Sequence, residues 1–291
     1  MERDGRGEGA GKDMIDWDGE WQAARARSPL RMTVDNRGRW KEFWSGDAQY
    51  YLRNVRAEAS LYAMAVQRLA EEGWARTDDD VLDIGSGPGT FALPLAARVR
   101  SITAVDEAEG MLEALRRECA ARGIRNVATV LRRWEDHPRQ GDHDLALASM
   151  NPAIASLDDL MAMERSSRSR CCYVTACPSD QMALRNELWE KVIGRFEPSG
   201  HGSVRYPLNA LALAGRRPRL YRIVTEVEVS IPAEEVIEHF VQYFRIFTHV
   251  TLHKEDAIRE HILSRSRDGV HTQRGKRCLH LLCWNKGREG D

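Results

Sequence analysis

The sequence predicts an α/β fold: a doubly wound, mostly parallel seven-stranded sheet with helices on both faces, plus helical lid elements. Three observations carry this. From position 80 onward, short apolar runs alternate with helical patterns at intervals of roughly 20–30 residues. The first of these runs, VLDI, opens into a glycine-rich turn, GSGPGT, ahead of another apolar stretch. Two stretches, at about 178–205 and 232–270, are longer than a minimal sheet needs and look helical.

The elements follow in order. Residues 1–13, MERDGRGEGAGKD, are polar and glycine-rich and read as a disordered tail. Residues 14–75 read as an aromatic-rich helical cap. Trp17 and Trp21 share one helical face, and Val55, Leu61, Met64, Ala65 and Leu69 recur at helical spacing before a stop at Gly73. Residues 76–291 form the main domain. VLDI is a buried strand and TFALPLAARV a helix, with Pro94 tolerable near the first turn. SITAVD is a strand, AEGMLEALRRECAARG a helix stopped by Gly123, and NVATVLR a strand. DLALAS is the fourth strand, AIASLDDLMAMERSS a helix and RCCYVTA the fifth strand. PLNALALAG is a helix ended by Gly215, LYRIVTEVEVSI a long alternating strand and KRCLHLLCW the last. Both insertions leave from carboxyl ends of parallel strands, the ligand-binding edge of such a sheet. With the aromatic N-terminal segment they predict a lid of three pieces over one pocket.

Bulk properties narrow the function classes. At 291 residues and 42% hydrophobic, the chain can bury a substantial core. A net charge of −1 provides no basic field to attract nucleic acid. No apolar run approaches the ~20 residues of a membrane helix, and the start lacks the apolar middle of a signal peptide. A cytoplasmic protein is expected, and the oligomeric state is left open. The six cysteines (Cys119, Cys171, Cys172, Cys177, Cys278, Cys283) include no CxxC pair. They read as small buried apolar side chains, and no metal site is expected.

The glycine turn carries chemistry. Its third glycine comes one residue earlier than in the dinucleotide fingerprint GxGxxG. Pro88 removes an N–H that a pyrophosphate would use. A carboxylate at the strand end, Asp83, repels a pyrophosphate and suits an ammonium or a sulfonium. VLDIGSGPGT, AVDEAEGML, RRWED and DLALASMNP occur in that order. This set resembles the class I S-adenosylmethionine-dependent methyltransferases, well over Val81 to Ala176 and more loosely over the last two strands. The resemblance implies S-adenosylmethionine as cofactor. It places Asp83 near the methionine amino group and lets Gly85, Ser86, Gly87 and Gly89 bring backbone to the cofactor. Asp106, with Glu107 beside it, stands where the family holds the ribose hydroxyls. Met111 matches the apolar residue on the adenine ring, and Trp134 and Glu135 lie where the adenine edge is read. Arg133 departs from the family there, where an aspartate is commonest. Ser149, Met150 and Asn151 face the methyl group and the methionine tail.

For the acceptor, the aromatic lid points to a small molecule, with Trp44, Tyr51, Asn151 and Tyr243 as candidate contacts. Trp40, Tyr50, Phe240, Phe244 and Phe247 belong to the same aromatic set. Methyl transfer from a sulfonium needs alignment and exclusion of water more than a catalytic side chain, so none is named. An oxygen acceptor often uses a histidine base, and six stand in the lid region: His201, His239, His249, His253, His261 and His271. Asn151-Pro152 begins the motif of amino-group methyltransferases, but Ala153 and Ile154 break it. Arg216, Arg217, Arg219 and Arg222 could grip an anion or line a solvated connection. Other readings stay open: a methyltransferase acting on tRNA or a protein side chain, a non-catalytic binder of the cofactor, or a nicotinamide-dependent dehydrogenase.

Overall fold

A computed structural model describes residues 15–29, 31, 36–177, 181–195 and 199–287; the tail expected over 1–13 lies outside them. The strands are β1 (Asp80–Ile84), β2 (Ser101–Asp106), β3 (Val127–Leu131), β4 (His143–Ser149), β5 (Ser167–Ala176), β6 (Arg219–Pro232), β7 (Ser266–Arg267) and β8 (Val270–Asn285). Seven of them follow one path, β3-β2-β1-β4-β5-β8-β6, and the two-residue β7 pairs with β8 off that path. β1 to β5 pair in parallel, and β8 runs antiparallel to both β5 and β6. The central strands are continuous apolar runs because helices cover both of their faces.

The helices are α1 (Trp17–Ala26), α2 (Arg37–Gly46), α3 (Ala48–Ala57), α4 (Ala59–Glu71), α5 (Ala92–Leu95), α6 (Glu109–Arg122), α7 (Leu157–Arg165), α8 (Gln181–Val192), α9 (Arg205–Leu213), α10 (Ala233–Arg245) and α11 (Leu252–Leu263). α4, α5 and α6 cover one sheet face, with Leu61, Leu69, Phe91 and Leu115 packed on Leu279 and Leu281. α1, α7 and α9 cover the other, where Trp21, Leu160 and Tyr206 pack with Tyr173 and Trp284. Local signals set the helix ends. Ser156 and Thr251 cap α7 and α11 with their side chains, and Gly123 closes α6 at φ 66°, a left-handed position that suits glycine.

Several elements differ from expectation. Only Ala92–Leu95 of TFALPLAARV is helical, and the chain turns soon after Pro94. Met64 is exposed; the buried stripe of α4 is Leu61, Tyr62, Ala65, Val66 and Leu69. The segment 14–75 is not one unit: α1 and α4 flank the sheet, and only α2 and α3 lie over its carboxyl edge. Cys177 and Cys278 form a disulfide, so the reading as plain apolar side chains fails for these two. A sequence separation of 101 residues hid this contact; the N–H of Cys177 donates to the Cys278 carbonyl at 2.9 Å, side by side at the end of β5. Cys119, Cys171, Cys172 and Cys283 are buried and free.

A ribbon carries the lid. β5 stops pairing with β8 at Ala176–Leu279, but β6 and β8 continue from Val224–Cys278 to Pro232–Val270. At ~3.3 Å per residue this ribbon rises roughly 30 Å past the sheet edge. Its alternation turns Val227, Val229 and Ile231 to one face, where they join Phe240 and Phe244 of α10, Leu184 and Leu188 of α8 and Phe43 of α2 in a second core. The two insertions and part of the N-terminal segment therefore do meet above the carboxyl edge. No helix among the described residues is long and apolar enough to cross a membrane.

One buried ion pair ties the start of the sheet to its middle. Arg170 of β5 bonds Asp79 at 2.6 and 3.0 Å and the Trp74 carbonyl at 3.0 Å, with both side chains almost fully buried. Replacing Arg170 with methionine leaves Asp79 buried and unpaired. A loss of about 3 kcal/mol is expected, read as a lower midpoint of urea unfolding; an unchanged midpoint would contradict this role.

Candidate active site

The site sits where β1 and β2 end. Gly85 and Ser86 donate their N–H groups to the Val105 carbonyl at 2.8 and 3.1 Å, which folds the turn back over β2. Gly85, Gly87 and Gly89 have φ of 67°, 54° and 95°, a region other residues adopt only under strain. A side chain at Gly85 would collide with the Asn151 amide, whose Nδ2 lies 2.4 Å from the position of its Cβ. The turn thereby aims Gly87 N–H at Asp106 Oδ2, 2.9 Å away, while Ala108 N–H donates to Oδ1 at 2.9 Å.

Asp83 is treated differently. It is 2% exposed, and its Oδ2 has no hydrogen-bond partner among the described residues. Burial, and then the charge of Asp106, push its pKa up to about 7. Burial also raises Asp106, offset by the backbone N–H groups of Ala108 and Gly87. The hydroxyls of Ser86 and Ser149 are likewise buried without a partner. Asp83, Gly85, Ser86, Gly87, Ser149, Thr90, Phe91 and Tyr51 line one small cavity of about 30 Å³. Buried acceptors without donors beside a strongly curved backbone form a seat for a cationic, hydrogen-bonding ligand.

The structure brings other expected residues only to the margin. Met111 is buried between α6 and α3, against Ala48 and Leu52. Trp134 is buried, with His137 stacked at 5.9 Å and the Arg139 guanidinium 3.8 Å from its ring centre. Glu135 and Glu107 are bridged by Arg37 of α2, at 2.9 and 3.6 Å. Asn151 spends its amide on the backbone, Nδ2 to the Ile84 carbonyl and Oδ1 to Ala153 N–H. Trp44 meets Tyr51 edge-on at 5.4 Å and stands one ring back from the cavity. Tyr243 lies in the second core against Phe43 and Phe247, away from the lining.

Among the histidines, His239 is the one built into the cap. It stacks on Tyr50 at 4.0 Å and pairs with Asp47 at 2.9 Å. Arg216 bonds Glu164, which also receives Trp284 Nε1, so this member of the arginine cluster fastens the connection before β6 to α7. Thr90 and Phe91 were overlooked as lining residues although they complete the glycine motif. Arg37 carries no signal in the sequence, because its partners are 70 and 98 positions away.

Residues 81–169 match a family model described as a methyltransferase domain. That segment is a methyltransferase domain. An uncharacterized protein of Haemophilus influenzae is 31% identical over 184 residues, 63% of this chain and 66% of that protein. Aklanonic acid methyltransferase of a Streptomyces species is 37% identical over 68 residues, 22% of this chain and 31% of that enzyme. The matches thus span just under two thirds of the first relative and about a third of the second. The YcgJ protein of Bacillus subtilis aligns in structure over 80% of this chain and 100% of its own, with TM-score 0.47 and 20% identity. Geranyl diphosphate C-methyltransferase of Streptomyces coelicolor aligns over 77% of each chain, with TM-score 0.44 and 17% identity.

Gly85→Ala combines a strained φ with a collision against Asn151. Affinity for S-adenosylmethionine is expected to fall at least tenfold, measured calorimetrically on protein with an unchanged circular dichroism spectrum. Gly87→Ala, with only Tyr51 near at 3.9 Å, should be milder; the reverse order would contradict the packing argument.

Proposed function

We propose that the protein transfers a methyl group from S-adenosylmethionine to a small-molecule acceptor. The cofactor supplies an activated methyl on a sulfonium. The residues fit it: Asp83 is the buried acceptor that a methionine ammonium or sulfonium would complete, and Asp106 would take the ribose. Ser86 and Ser149 have hydroxyls to spare, and the turn glycines leave room for backbone approach. The family pattern would put the adenine against Glu107, Met111, Trp134 and Glu135.

The observation that carries the small-molecule reading is the enclosure of this edge. α2 and α3 close over it, and Tyr51 and Trp44 stand between the glycine turn and the second core. Such a site aligns a small acceptor and keeps water out. The relative named as acting on aklanonic acid supports the same class of acceptor. Tyr51, with Trp44 behind it, is the contact we assign to the acceptor side, while Asn151 holds the turn.

Calorimetry against S-adenosylmethionine, S-adenosylhomocysteine and NADH tests the cofactor; binding of NADH alone would overturn it. Labelled-methyl assays on a cell extract then test the acceptor. Label in the dialysable fraction is expected, and label confined to tRNA or protein would refute the small-molecule reading.

Asp83 makes the pH dependence specific. Its pKa in the free protein is raised from 3.8 to about 7. Its contribution to stability is therefore complete below the ordinary carboxylate pKa and is lost as pH rises through about 7. A bound cation favours the carboxylate, so cofactor affinity should weaken as pH falls below 7, by up to about tenfold per unit. Asp83→Asn should flatten that profile; a wild-type affinity constant from pH 5 to 8 would refute the assignment.

A further inference from the structure

A second cavity, of about 290 Å³, lies between α8 and the projecting β6–β8 ribbon. Its volume is at the low end for small-molecule sites. One wall is apolar, from Ala183 and Leu184 of α8. The other is polar, with His271 and Arg277 on the same face of β8 and Arg265 and Arg274 beside them. Arg277 is 3% exposed, and its Nη2 is buried with no hydrogen-bond partner among the described residues. The Nδ1 of His271 is in the same condition. An unpaired donor on a buried cation calls for an acceptor, and an anion completes it best.

The surrounding charges select the kind of anion. Each arginine already has one carboxylate: Arg277 Nε bonds Glu58 at 2.9 Å, Arg265 pairs with Glu187 at 2.8 Å and Arg274 with Glu228 at 2.9 Å. His261 also bonds Glu187, at 2.9 Å. Three cations facing three carboxylates do not favour a dianion such as phosphate. They leave one strong buried donor, enough for a single carboxylate, beside a hydrocarbon surface.

We propose that this cavity binds a small organic monocarboxylate, its carboxylate on Arg277 and its carbon skeleton against Ala183 and Leu184. A chain of side-chain contacts links this cavity to the glycine turn. Glu58, which holds Arg277, also accepts from the Tyr62 hydroxyl at 3.2 Å. The Tyr62 ring meets Phe91 edge-on at 5.7 Å, and Phe91 lines the glycine-turn cavity. The inference does not depend on the methyltransferase reading, because the acid is recognised by the ribbon and α8 alone.

Benzoate and its neutral isostere benzamide are the probes, used with the full chain in calorimetry or ligand-observed NMR. Benzoate should bind at least tenfold more tightly than benzamide, and Arg277→Gln should remove that preference. Where Arg277→Gln fails to fold because Glu58 loses this cation, Ala183→Trp fills the cavity from its exposed rim and should abolish benzoate binding in folded protein. Equal binding of the two probes, no binding of benzoate at millimolar concentration, or benzoate binding that survives both variants would overturn the proposal. Binding of S-adenosylmethionine by the same samples reports separately on the cofactor site.

Discussion

Two carboxylates, Asp83 and Asp106, are buried near the ends of adjacent strands, and much of the site follows from the cost of that burial. A buried carboxylate stays ionised only with compensating donors or a cation. The chain compensates one of them. The left-handed glycine turn and the loop after β2 give Asp106 two backbone N–H groups at 2.9 Å. Asp83 keeps the Ala92 N–H, and its second oxygen goes without a partner. The asymmetry leaves Asp106 satisfied by backbone and Asp83 with one buried oxygen unpaired.

Low dielectric at this edge depends on the cap, and the cap depends on two separate cores. Small residues let α2 and α3 approach the sheet domain: Ala48 packs on Ala108 and Ala114, and a side chain at Gly110 would lie 2.0 Å from the Ser45 carbonyl oxygen. On its other side α2 inserts Phe43 into the core built by the ribbon, α8 and α10. Between α3 and α4 the chain breaks at Glu58, and the buried Glu58–Arg277 pair fixes that break against the ribbon. The ribbon, an antiparallel extension of a mainly parallel sheet, thus gives the second core its position above the edge.

The elements most legible in the sequence were those made by local rules. Strand alternation, the stop at Gly123, the glycine turn and the order of the following motifs located the sheet, Asp83 and Asp106. Contacts between distant segments were not legible. Nothing in the spacing of Cys177 and Cys278 shows that they face each other, and nothing in the sequence around Arg37 shows that it reaches Glu107 and Glu135. The aromatic lid was recognised as a group but not resolved. Tyr51 lines the cavity and Tyr243 does not, because helical periodicity tells which residues share a face and not which face meets the ligand. Trp134 was expected at the adenine edge; its burial with His137 and Arg139 is a tertiary arrangement that a loop sequence does not encode.

The lining of the glycine-turn cavity also limits the chemistry its side chains perform. Its titratable groups are Asp83 and Tyr51. Burial, followed by the charge of Glu58, pushes Tyr51 up to about 12, so it stays protonated near neutral pH and acts as a hydrogen-bond donor. No histidine is in this lining: His239 pairs with Asp47, His261 with Glu187, and His271 lies in the wall of the second cavity. Asp83 is the one lining carboxylate. On the function proposed above, an acceptor beside Tyr51 would meet an alignment surface rather than a proton-abstracting group, which would suit an atom already nucleophilic.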